Sequence, residues 1–237
     1  MKKIISGGIF LLLILSFVSC NFDEDDPILY GDAYIFSEDS ISNTGEKAVY
    51  YNLILISSCS NYEISSVTAN NGANSYTLTS DGTYFSTKEG PFTSYDNLIG
   101  KYTFNFSFIS ANADTLSNEV TSEILQPVTI NSCTGIDDGE NLSIFLKWNK
   151  PENADAIYIQ LRNSTNTVIF TSRTGYYDYY TLLNNTEYTI SSDTGTWADD
   201  TTLSKDEKYT VEISISNYES SSSIQAESIA KATVNWE

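Results

Sequence analysis

Carboxylates and tyrosines are the reactive groups this chain has in quantity. Its 237 residues carry 31 Asp and Glu against 12 Lys and Arg, with no histidine, for a formal net charge of −19. The missing histidine removes His-based triads, His-bearing zinc sites and a histidine pH switch. Carboxylate-pair hydrolysis remains as formal acid–base chemistry, but no acid is marked out by its neighbours. No cofactor-binding pattern is present. Arginine occurs only at Arg162 and Arg173, and a chain this acidic repels phosphate backbones, so nucleic acid is not an expected partner.

The densest aromatic cluster is Gly175-Tyr176-Tyr177-Asp178-Tyr179-Tyr180. Alternation along a strand sends about half of such a run outward. Exposed Tyr176, Tyr177, Tyr179 and Tyr180 would offer flat apolar faces with hydroxyl handles, a surface suited to sugars or a partner protein. Trp197, between Gly195-Thr196 and Ala198-Asp199-Asp200, reads as a loop residue that could stack on a sugar or fold back over a sheet edge. Asp137, Asp138 and Glu140, and separately Asp199 and Asp200, could supply oxygens to calcium. They lack the ligand spacing of a twelve-residue calcium loop and read as solvated turn acids, so no metal site is expected. Cys59 and Cys133 belong to no CxxC or His/Cys cluster and read as buried free thiols.

These groups must be positioned by strands. Tyr102, Phe104, Phe106 and Phe108 alternate with polar residues. So do Leu142, Ile144, Leu146 and Trp148, then Ile157, Ile159 and Leu161, then Tyr209, Val211, Ile213 and Ile215. Period two over such lengths means half-buried strands. Asn71-Gly72, Asp81-Gly82, Asp138-Gly139, Asn163-Ser164 and Thr174-Gly175 punctuate them as turns. Val49 to Ile56, apolar on both faces, reads as a central strand. No helical period follows the first twenty residues. The expectation is an all-β chain of two tandem antiparallel sandwiches, residues 28–126 and 127–237, divided at Gln126-Pro127-Val128, where proline interrupts the pattern. The short linker implies a stiff, end-to-end pair.

The N-terminus adds an address. Met1-Lys2-Lys3, an apolar run through Ile9 to Leu15, and Ser16-Phe17-Val18-Ser19 lead into Cys20. A basic start, an apolar stretch too short to span a bilayer and small residues before the cut describe a signal peptide over residues 1–19. A cysteine at the cut resembles a bacterial lipoprotein signal, which implies lipidation of Cys20 and a membrane partner. Asp23, Glu24, Asp25 and Asp26 follow at once within a tether of residues 20–27. This block resembles the acidic export tag of surface lipoproteins in the Bacteroidota, implying an outer-membrane protein facing the cell exterior. As bare chemistry, it is a self-repelling solvated tether.

Two spaced features carry a further resemblance. Trp148-Asn149-Lys150-Pro151 closes an alternating strand, and Leu203 stands six residues ahead of Tyr209, which opens another. These are similar to the Trp-x-x-Pro and the tyrosine corner of fibronectin type III domains. The resemblance makes Trp148, Pro151, Leu203 and Tyr209 structural, with the Tyr209 hydroxyl bonded back to the backbone, and Ala230 to Trp236 the last strand. The first half is Ig-like by pattern alone, with no Leu six residues before Tyr102 and no tryptophan. Asp39-Ser40-Ile41, Asp114-Thr115-Leu116 and Asp200-Thr201-Thr202, in presumed loops, resemble the O-glycosylation acceptor of Bacteroidota. The whole resembles the accessory lipoproteins of glycan-uptake systems. The functional expectation is a non-catalytic surface module for binding or adhesion to a glycan or protein. A structural spacer or envelope-assembly component is the alternative, and a carboxylate-pair hydrolase stands third.

Overall fold

The structure is a computed structural model. It describes residues 29–41, 47–59, 62–82, 84–94, 98, 100–110, 112–113, 115–173, 182–199, 201–220 and 223–236. The expected signal peptide of residues 1–19, Cys20, the expected acidic tether of residues 20–27 and the run Tyr176 to Tyr180 lie outside these residues.

Among the described residues every regular element is a strand. The first half holds β1 (Leu29–Ile41), β2 (Lys47–Cys59), β3 (Tyr62–Asn70), β4 (Ser75–Thr77), β5 (Thr79–Ser80), β6 (Phe85–Phe92), β7 (Lys101–Ser110) and β8 (Thr115–Glu123). The second holds β9 (Ile130–Asp137), β10 (Leu142–Trp148), β11 (Ala156–Arg162), β12 (Val168–Thr171), β13 (Glu187–Ile190), β14 (Thr196–Trp197), β15 (Thr210–Ser220), β16 (Ser223–Thr233) and β17 (Asn235–Trp236).

The expected alternation produces these strands. In β7, Tyr102, Phe104, Phe106 and Phe108 are buried while Lys101, Asn105 and Ile109 are exposed. In β2, Val49, Tyr51, Leu53 and Leu55 are buried, and Tyr50, Asn52, Ile54 and Ile56 are half-buried on the opposite face. Burying each large side chain contributes roughly 1.5–3 kcal/mol. Two separate cores result. One contains Ile35, Leu53, Phe104 and Ile124; the other contains Leu125, Trp148, Ile159, Tyr209 and Ile213. Consecutive residues Ile124 and Leu125 thus enter different cores.

The two halves are not arranged end to end. A nine-stranded sheet runs β14-β12-β11-β15-β16-β1-β2-β6-β5 through both of them. The join is a parallel pairing of β1 with β16, with Ile35 opposite Ala226 and Glu38 opposite Ile229. Ile35 belongs to the first core and Ala226 to the second. Paired residues share a face, so both cores lie on the same side of this common sheet. The four-stranded sheets β4-β3-β7-β8 and β13-β10-β9-β17 complete the two sandwiches side by side. The linker did not dictate end-to-end stacking because β1 had an open edge to satisfy, and β16 supplies its partner.

Two further expectations are corrected. Ala230 to Trp236 is not one strand. β16 ends at Thr233, and β17 crosses to the other sheet and pairs in parallel with β9. The crossing is seated by the Val234 N–H, which donates to the Tyr209 carbonyl at 3.0 Å. It also depends on Gly135, where an added Cβ would lie 2.2 Å from the Trp236 ring. Asp39-Ser40-Ile41 is not a loop: it forms the end of β1, paired with Val49, Ala48 and Lys47 of β2.

Candidate functional site: a polar face across the seam

Alternation on β11, β15, β16 and β1 sends one set of side chains into the cores. The other set goes to the opposite, outer face of the common sheet. There the registers align Gln160 with Glu212 and Lys231, Tyr158 with Ser214 and Ile229, and Ala156 with Ser216, Glu227 and Phe36. A sandwich strand read in isolation would leave this set in solvent. Instead Arg162 is 9% exposed, Glu212 5% and Glu227 3%. Buried charges persist only when paired or heavily hydrogen-bonded.

The pairing is explicit. The Arg162 Nε lies 2.7 Å from Glu212 Oε2, and Lys231 Nζ lies 3.3 Å from both Glu212 Oε1 and Glu38 Oε2. Arg162 also donates from Nη1 to the Asn166 carbonyl at 3.2 Å. Charges of alternating sign therefore cross four neighbouring strands, β11, β15, β16 and β1. Beside this ladder, the Tyr34 hydroxyl donates to Glu227 Oε2 at 3.0 Å and the Tyr158 hydroxyl donates to Glu227 Oε1 at 3.1 Å. The Arg173 guanidinium lies over the Tyr158 ring, 3.9 Å from its centroid. Burial pushes the Glu227 carboxyl above the usual glutamate range, although both phenol bonds pull it down. Burial, with Glu227 second, raises Tyr34 and Tyr158 as well. Closer to the cores, Ser37 donates to the Leu125 carbonyl at 3.3 Å and Ser122 to the Gln225 carbonyl at 2.9 Å. Chemically, this arrangement joins the halves: each buried carboxylate is already engaged by groups from neighbouring strands.

The sequence-derived residues fall elsewhere. Trp197 lies on β14, at the far edge of the common sheet. Its indole N–H donates to the Ser191 carbonyl at 2.9 Å, and its ring centroid is 5.0 Å from that of Phe170. It is half-buried against the second core. Trp148, at the end of β10, is buried, and Pro151 is half-buried in the loop that follows. Leu203 packs against the second core. The Tyr209 hydroxyl accepts the Ser204 backbone N–H at 2.8 Å and donates to Glu207 at 3.3 Å. Asp138 accepts the N–H groups of Asn141 at 2.7 Å and Glu140 at 2.9 Å. These bonds hold its carboxyl below the usual range. Asp137 accepts the Gly139 N–H at 2.8 Å and pairs with Lys205. Among the described residues, no cluster of three or more His, Cys, Asp or Glu is placed to hold a metal ion. Cys133 is buried, and burial pushes its thiol up to about 12.

Sequence reasoning missed the outer-face set altogether. The available signal was Glu227 among Ala226, Ser228 and Ala230, with Arg162 next to Leu161 and Glu212 between Val211 and Ile213. It also missed Tyr102, whose hydroxyl donates to the Leu98 carbonyl at 3.1 Å and receives the Asn71 amide at 3.2 Å. The missed clue was a leucine four residues upstream rather than six.

No protein-family model matches the chain. No curated protein matches it in sequence. Among solved structures, it is similar to a structure of a 1.5-MDa bacterial ice-binding adhesin concerned with host cell surface retention, at 9% identity and a TM-score of 0.28. That match covers 88% of this chain and 65% of the other. A BSP domain of a biofilm-associated protein matches at 16% identity and a TM-score of 0.23, over 78% of this chain and 27% of the other. A tetra-tandem repeat from the extending region of a large adhesion protein matches at 14% identity and a TM-score of 0.22, over 86% and 50%. The chain spans less than two thirds of each of these structures.

Proposed function

We propose that this chain is a non-catalytic binding or adhesion module for a glycan or protein, held by a lipid on Cys20 at the outer face of a bacterial outer membrane. The observation that carries the reading is the N-terminal sequence: an apolar run ending at Cys20, then Asp23, Glu24, Asp25 and Asp26, shortly before the first strand at Leu29. The non-catalytic part is supported by the buried carboxylates of Glu212 and Glu227, which are engaged by the fold itself. The contact surface is assigned to Tyr176, Tyr177, Tyr179 and Tyr180 with the exposed rim of Trp197, since large aromatic groups contribute most per residue to recognition. A spacer role is the second reading, and the continuous sheet through both halves favours it.

Cells expressing the full chain test both. Fatty-acid labelling should be lost in Cys20→Ala. Replacing the four acids by Ala should leave a lipidated protein shielded from external protease. Glycan-array and pull-down signals should fall in Tyr179→Ala and in Trp197→Ala; because the Trp197 ring packs on Phe170 and the second core, its loss of signal counts only for protein assayed below its lowered melting temperature. Equal labelling in Cys20→Ala would refute the anchor. A surface-exposed protein that captures neither glycan nor protein would leave the spacer reading in place.

A further inference from the structure

The outer face of the common sheet buries two glutamates that are compensated differently. Glu212 sits between the cations of Arg162 and Lys231. Glu227 is held by phenols, Tyr34 from the first sandwich and Tyr158 from the second. Among the described residues, no cation lies within ion-pair distance of Glu227. Glu227 also stands in the short stretch where β16 pairs with β1, directly opposite Phe36. A single carboxyl group thus sits on the join between the halves and bonds to a side chain from each.

We propose that Glu227 is a proton-controlled latch on this seam. Neutral, it leaves the seam uncharged and ties β1 to β11 by accepting a hydrogen bond from one phenol while its own O–H is donated to the other phenol oxygen. Ionised, it places a charge in a dry seam and loosens the pairing of β1 with β16. The groups facing it are Tyr34 from β1, Tyr158 from β11, Glu212 from β15 and Arg173 after β12, while Tyr218 of β15 acts on Tyr34. Lys231, on the same strand, is taken up by Glu212 and Glu38. Burial and Glu212 disfavour the ionised carboxylate; the phenol bonds and Arg173 favour it, and burial is the largest influence. The sign follows. Below the ordinary glutamate range the carboxyl is neutral whether the seam is open or closed, and the latch holds fully. As pH rises, the open form ionises first, and the latch is lost as pH passes through the raised value of the closed form.

Hydrogen exchange on the full chain tests this at the amides of Ile35 to Glu38 and Ala226 to Ile229. After correction for intrinsic exchange, protection in the parent should fall with rising pH above the ordinary glutamate range, by up to about tenfold per pH unit for one coupled proton. Glu227→Gln cannot ionise, and its protection should stay flat across the same range. Identical profiles in the two proteins would overturn the proposal. If Glu227→Gln does not fold, Tyr158→Phe serves instead. It removes a donor that favours the ionised form, so the midpoint should move upward, and an unmoved midpoint overturns the latch.

Discussion

Tyr209 and Tyr102 tie the two cores to their incoming loops through phenols bonded to different backbone groups. Tyr209 accepts the Ser204 backbone N–H, while Tyr102 donates to the Leu98 carbonyl and also receives the Asn71 amide. Their surroundings set different costs for losing the hydroxyl. Ser204 is half-buried, so water can replace part of the bond, and Tyr209→Phe should cost about 1 kcal/mol. Leu98, whose carbonyl accepts the Tyr102 hydroxyl, is buried out of reach of replacement water, so Tyr102→Phe should cost about 2 kcal/mol. At this chain length each kcal/mol moves the melting temperature by roughly 2–4 °C. Scanning calorimetry should therefore show the larger drop for Tyr102→Phe. The reverse order would mean that burial does not set the cost. Tyr209 was readable because Leu203 and the strand after it follow a known spacing. Tyr102 was not, because its bond reaches a carbonyl on a loop of different length, and hydrogen-bond direction leaves no trace in sequence.

At the scale of strands, periodicity reports which side chains share a face but not what that face meets. It correctly sorted Ile157, Ile159 and Leu161 from Tyr158, Gln160 and Arg162 on β11. It could not show that Arg162 and Glu212 would be buried together, because that depends on the register between β11, β15 and β16. The parallel pairing of the first strand with the penultimate major strand likewise has no local signature. Sheet edges are handled by shortness. The strands β5, β14 and β17 have 2 residues each, β4 has 3 and β13 has 4. Among the described residues the one long edge strand, β8, has 9 residues, exposes Glu119 and Glu123, and is tied at Ser122 to β16. Short, charged or covered edges resist pairing with other chains. Gly31 shows the same economy of space between layers: an added Cβ would sit 2.2 Å from the Phe106 ring, so β1 passes close over β7 only because that position is bare.

For the whole molecule, the seam decides whether the halves are independent. Residues 128–237 contain a complete second core apart from Leu125. Cut free, they would lose β1 from the β16 edge and Tyr34 from Glu227. The fragment should fold as an all-β domain but unfold at lower urea than the full chain, and it should self-associate through the bared edge. Equal urea midpoints with a monomeric fragment would show that the seam adds nothing to stability. The seam also determines how tension would travel. β1 is the first strand beyond any anchor at the N-terminus, and it is paired along its full length with β2 and in part with β16. A pull on residue 28 along β1 lies across those hydrogen bonds, so they bear the load together in shear rather than opening one by one. The load then passes sideways into the second sandwich without first unravelling the earlier one. Single-molecule pulling from residue 28 should therefore meet higher force than pulling that peels β14 from its edge; equal forces would remove the mechanical advantage of placing the first strand in the middle of the sheet.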